Sequence, residues 1–240
     1  MSYSWNWGVL LETPYLGWIL SGFYWTLVVS IFSWVIAFLL GSIVGIARTS
    51  KVRSLRALST IYVEVFRNIP LLVQMFLWFF VLPEVVFVEL GSWIKRDLPF
   101  PEMWTAVICL GTYTGARVAE QVRAGINSIS IGQRNAALAI GLTPGQAYRY
   151  VLLPVAYRLI IPPLTSDFLG IFKNSSLGLT IGLLELTART RQVSEYTFQS
   201  FEAFAAATAL YVSVTYVVMK LMAVVEKRTA IPGLIALEAK

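Results

Sequence analysis

The stretch TPYLGWILSGFYWTLVVSIFSWVIAFLLGSIVGIA, residues 13–47, carries no charge between Glu12 and Arg48 and is dense in Trp, Phe, Ile and Val. A helix needs roughly 20 mostly apolar residues to cross the hydrocarbon of a bilayer. This run is long enough for one span, with Trp18 and Trp25 placed as interfacial anchors. The rest of the chain agrees: 57% of its 240 residues are hydrophobic and 13% charged, against about 25% charged in a typical soluble domain. Mean hydropathy is +0.70. The expected class is an all-α integral membrane protein.

Working outward from the first run, four more spans are expected. The second covers Asn68 to Pro83 and extends back over Ile61 to Phe66. The third, Met103 to Ala116, is short alone and must continue past Arg117 and Glu120. The fourth runs from Leu159 to Leu184, interrupted by Asp167 and Lys173, and the fifth from Ala203 to Met219. The gaps alternate in charge. Arg48, Lys51, Arg53 and Arg56 follow the first run, and Arg123, Arg134 and Arg149 follow the third, without matching acids. Glu84, Glu89, Asp97 and Glu102 weight the second gap toward acid, as Glu185, Glu195 and Glu202 do the fourth. Cytoplasmic loops carry the Lys/Arg excess, so about five spans place the N-terminus outside and the C-terminus inside.

The net charge of +6 is spread over these gaps, so it marks loop orientation, not a nucleic-acid surface. There is no histidine, which removes His-based metal sites and His general bases, and the lone cysteine, Cys109, has no internal disulfide partner. No catalytic set and no metal site are expected. The first residues, Met1 to Gly8, lack the basic start of a secretory signal. One domain, 1–240, is expected.

The longest inside gap, about 127–154, reads as structured. Gln133 to Ile140 favours helix, Gly141 suits a helix C-terminus needing positive φ, and Thr143-Pro144-Gly145-Gln146 is a capping box with proline at the first helical position. Two short helices broken at Gly141 follow, the second carrying Tyr148, Arg149 and Tyr150 as far as Pro154. Ala136, Ala137 and Ala139 would give the first a low profile over which another backbone can approach. The loop is either a docking element or a stable connection.

This spacing resembles the ABC importer permeases. Their cytoplasmic loop carries Glu-Ala-Ala, three residues, Gly, nine residues, then Ile-x-Leu-Pro. Here Asn135-Ala136-Ala137, Gly141 and Val151-Leu152-Leu153-Pro154 keep both spacings, with Asn135 in place of Glu and Val151 in place of Ile. The segments Tyr62 to Gln74, Ala116 to Ile126 and Lys173 to Leu177 resemble spans of the polar amino acid permeases. Trp5 to Gly8, Tyr15 to Trp18 and Asn135 to Pro154 are most similar to the glutamate/aspartate importer permeases of Gram-negative bacteria. The resemblance implies the type I importer permease fold. It also implies a coupling helix built on Asn135, Ala136, Ala137, Gly141, Thr143, Tyr148, Arg149 and Pro154 that docks an ATP-binding subunit dimer. ATP and magnesium would be used by that partner, with no cofactor in this chain. A second related permease, forming a heterodimeric rather than homodimeric pore, and a periplasmic amino-acid-binding protein complete the implied assembly in the bacterial inner membrane.

Charges at membrane depth are expensive and either paired or functional. Glu64 and Arg67 share one helical face at i, i+3, as do Arg117 and Glu120. Such pairs either neutralise one another or line a polar path. Arg67, Arg117, Glu120, Lys173, Asn174, Ser175 and Ser176 are the candidates for that path. Prolines Pro162 and Pro163, with the small polar run after Lys173, suggest an irregular fourth span, which either lines a cavity or packs closely on a neighbour. The function expected is import of acidic amino acids by alternating access. Another polar amino acid such as glutamine or a basic one is the alternative, and an ATP-independent secondary transporter is a further one. No Gly-x-x-x-x-Gly-Lys-Ser/Thr loop is present, so the chain is not expected to be the ATPase.

Overall fold

The computed structural model describes residues 3–229; Met1, Ser2 and the C-terminal 230–240, on which the expected C-terminal orientation ends, lie outside the described residues. Among those described there are helices and turns and no strands. A 3-10 turn, Trp7–Leu11, precedes α1 (Tyr15–Arg48), and α2 (Arg53–Asn68) follows. The chain then bends by 104° into α3 (Leu71–Phe76), a π turn (Leu77–Val81), α4 (Leu82–Val85) and α5 (Val88–Arg96). Helix α6 (Pro101–Asn127) leads to the short α7 (Ile131–Ala139) and α8 (Pro144–Ala147). A second π turn (Tyr148–Leu152), α9 (Leu153–Asn174) and a 3-10 segment (Ser175–Ile181) come next, then α10 (Leu186–Thr197) and α11 (Ser200–Thr229).

Three stretches are long and apolar enough to cross a membrane: α1, the run Pro144–Ile181, and α11. The bent pair α2 and Leu71–Val85 makes four if counted as one span. The remaining expected span, the third in order, corresponds to α6, which is not among these apolar stretches. It has the length but is more polar than a lipid-facing helix because it lies at the centre of the molecule. From Met103 to Ile126 most of its side chains are buried against α1, α2, α3 and α9. A helix sheathed by protein can carry Arg117, Glu120 and Arg123 where a lipid-exposed one could not.

The α1–α6 contact is made by small residues. Ala37, Gly41 and Gly45 recur every four residues on one buried face of α1. A Cβ at Gly41 would lie 2.7 Å from the Gly115 carbonyl oxygen and one at Gly45 would lie 2.6 Å from that of Ala119. Without a hydrophobic drive between helices in lipid, such close backbone approach is what holds them together.

Two expected boundaries are corrected. The second span is broken: Pro70 forces Ile69 into an extended conformation (φ −87°, ψ 128°). The buried Gln74 then donates its amide to the carbonyls of Phe66 and Ile69, both at 2.8 Å, satisfying backbone freed by the break. The second loop helix does not stop at Pro154 but continues into the fourth span. At Leu153 the N–H reaches back five residues to Tyr148, and this widened turn accommodates the proline that follows. Leu82 does the same to Leu77 immediately before Pro83. The irregularity expected in the fourth span is present as the 3-10 segment, closed by Gly182 at φ +89°.

Candidate functional site

A polar cavity of about 410 Å³ is lined by Arg67 from α2 and by Tyr113, Arg117, Glu120 and Gln121 from α6. The break after α2 leaves Arg67 on an exposed face near the helix end. Residues 113, 117, 120 and 121 fall on one side of α6 by their spacing of three and four.

The ion pairs expected within single helices are not the ones formed. Arg117 pairs across to α9, its Nε 2.8 Å from Oδ1 of Asp167, with the arginine side chain half exposed and the aspartate side chain 2% exposed. Gln121 donates its amide to the other Asp167 oxygen, while its own Oε1 is buried without a partner. Glu120 accepts instead from Arg48 of α1 and from Arg123, whose Nε lies 3.1 Å away. Glu64 takes the amide of Asn68 at 3.1 Å, not Arg67. Arg67 has no ion pair among the described residues. The cavity lining carries Arg67 and Arg117 against Glu120, and with their ion-pair partners Arg48, Arg123 and Asp167 the cluster holds four guanidiniums and two carboxylates, a positive excess.

The residues from Lys173 to Ser176 are not brought to this cavity. Lys173 is exposed in the last turn of α9, where a cation complements the helix dipole. Ser175 and Ser176 return their hydroxyls to the carbonyls of Phe172 and Lys173, at 2.8 and 2.7 Å. Sequence reasoning missed Asp167 as the partner of Arg117, because they lie 50 positions apart on different helices. It also missed Gln121, which only adjacency to Arg117 and Glu120 could have flagged.

The loop between α6 and α9 forms a second site. Ser130 caps α7 by accepting from the Gln133 N–H at 3.3 Å, and Thr143 and Gln146 form the expected reciprocal box at 3.3 and 2.9 Å. Gly141 sits at φ +91°. Asn135, Ala136, Thr143, Arg149 and Pro154 are exposed, as are the apolar Ile131, Leu138 and Ile140. Ala137 is buried and turned inward, and Tyr148 is half-buried with its hydroxyl bonded to Thr49 at the end of α1. Arg149 lies over the Tyr150 ring, 5.7 Å from its centroid. An apolar patch on a capped, rigid loop is the form of a protein contact.

A charged cavity between membrane helices, with an exposed structured loop beside the bundle, fits a membrane transport subunit. The chain belongs to the family of binding-protein-dependent transport system inner membrane components, whose model matches residues 37–231. It is a membrane permease component and not an enzyme. It is 48% identical over 241 residues to the glutamate/aspartate import permease protein GltJ of Escherichia coli (strain K12), covering 97% of this chain and 98% of that one. It is 35% identical over 200 residues to the probable glutamine ABC transporter permease protein GlnM of Bacillus subtilis (strain 168), covering 83% and 85%. Among solved structures, an amino acid ABC transporter crystallised with histidines matches with a TM-score of 0.79 and 27% identity, over 94% of this chain and all of that chain. The MetNI methionine ABC transporter shares the fold, with a TM-score of 0.73 at 19% identity over 92% of this chain and 100% of that one.

Proposed function

We propose that this chain is the permease subunit of an ATP-driven importer that carries acidic amino acids, glutamate and aspartate, across the inner membrane by alternating access. The observation that carries the reading is the cavity in which Arg67 and the half-exposed Arg117 stand together with a surplus of positive charge. A carboxylate leaving water loses several kcal/mol of solvation, and charge-assisted hydrogen bonds from guanidinium replace it best. The likeness to GltJ supports the same substrate class. The cavity face cannot lie against lipid. A second, related permease covers it and completes the path, and a periplasmic binding protein delivers substrate at the outer end.

The loop of about 127–154 takes the ATP-binding subunit dimer, which uses ATP and magnesium. Exposed Ile131, Leu138 and Ile140 support this reading, since their burial against a partner would remove apolar surface from water. The chain then lies in the membrane with its N-terminus periplasmic and its C-terminus cytoplasmic.

The test is uptake by the assembled complex in proteoliposomes. Labelled glutamate and aspartate should accumulate with ATP, and a tenfold excess of unlabelled glutamine should compete weakly. Arg67→Gln should lower glutamate uptake at least tenfold, about 1.4 kcal/mol of lost stabilisation. Uptake of glutamine in preference to glutamate would overturn the acidic assignment.

A further inference from the structure

We propose that Asp167 is a positioning residue: it holds Arg117 by Nε so that the other edge of the guanidinium faces an acidic amino acid in the cavity. The inference rests on the cavity being the substrate path. Arg117 meets Asp167 through Nε, 2.8 Å from Oδ1. Neither Nη atom donates a hydrogen bond to protein among the described residues, and the Arg117 side chain, 51% exposed, lines the cavity. Those two terminal nitrogens are a planar pair matched to the two oxygens of a carboxylate.

Asp167 is built to stay. It is 2% exposed and belongs to the buried face of α9. Its second oxygen takes the amide of Gln121, one helical turn beyond Arg117, and that same amide reaches the Pro163 carbonyl at 3.4 Å. Gln121 makes these contacts while its own Oε1 stays buried and unpartnered. A carboxylate fixed from both sides does not compete for the substrate edge of the fork. It restricts the rotamers of a long side chain that would otherwise lose that freedom on binding substrate. The aspartate acts through Arg117 and does not itself touch substrate.

The importer assembled from wild-type or variant chains, with its ATPase, second permease and binding protein, tests this by the glutamate translocation rate at saturating loaded binding protein. Co-purification of the ATPase subunit reports assembly. Asp167→Asn should lower the rate about tenfold, and Asp167→Glu should recover it to within about threefold of wild type. In an Arg117→Gln background, adding Asp167→Asn should cause no further loss, because the carboxylate works only through the guanidinium. A purely structural role would instead lower ATPase co-purification in step with transport. If Asp167→Asn moves glutamate at the wild-type rate or faster, or if its tenfold loss persists without Arg117, the positioning role is overturned while the acidic-substrate reading stands. If the wild-type importer carries no acidic amino acid, that reading fails and takes this role with it.

Discussion

Glu185 is a fully buried carboxylate that forms no ion pair among the described residues. It caps α10 by accepting from the N–H groups of Thr187 and Ala188 at 2.9 and 2.8 Å, and takes the Tyr211 hydroxyl of α11 at 3.0 Å. Burial disfavours its charged form more than these donors favour it, so its pKa is raised above the ordinary carboxylate value. A group raised on folding contributes stability that is present at low pH and lost as pH rises through the folded pKa. Melting temperature in detergent should therefore rise as pH is lowered through the raised folded pKa toward the ordinary carboxylate range. Glu185→Gln, neutral at every pH, should flatten that rise and melt above wild type at pH 7.5. A wild-type melting temperature that falls over this range, unaltered by the substitution, would contradict the account.

The helix pair α1–α6 depends on the absence of side chains at Gly41 and Gly45. Gly41→Leu places atoms where Val118 and the Gly115 carbonyl already stand. Overpacking of this kind costs about 1–3 kcal/mol or more, and should appear as a fall in melting temperature and reduced membrane yield. In the loop, Gly141 and Gly145 separate two physical effects. A Cβ at either meets nothing within 4 Å, but only Gly141 has positive φ. Gly141→Val should cost about 1–3 kcal/mol of backbone strain, reshape the break between α7 and α8, and abolish uptake in a protein that still inserts. Gly145→Ala should transport normally. Equal uptake by both variants would show that the turn geometry does not couple transport to ATP hydrolysis.

Across the whole molecule, charge alternation along the chain sets the expected orientation. Helix α5, in an acid-leaning gap, and α7, in a basic gap, should lie on opposite sides of the membrane. Cysteines at Ser92 and Gln133, in a background with buried Cys109 replaced by alanine, should react with an impermeant maleimide from opposite sides. Labelling of both from one side would remove the orientation. The central placement of α6 also explains why so much charge is tolerated inside the bundle: Glu120 lies between Arg123 of its own helix and Arg48 of α1, so each guanidinium has a carboxylate beside it.

The membrane class, the apolar runs and the breaks of the loop are legible in the sequence. Each depends on composition or on neighbours within about four residues: the charge-free run to Arg48, the Thr143–Gln146 box, Gly141 before it. The family was legible for the same reason, in a motif of fixed spacing. Which charges pair depends on how the helices pack. Spacing at i, i+3 offered Glu120 to Arg117, but α9 brought Asp167 against that arginine and α1 brought Arg48 to the glutamate. The fold also decided that Lys173 stands apart from the cavity and that the helices run through Pro83 and Pro154 by widened turns. Local pattern fixes what a helix can present, whereas the desolvation of a charge depends on what other helices pack against it, and that is set by residues far away in the chain.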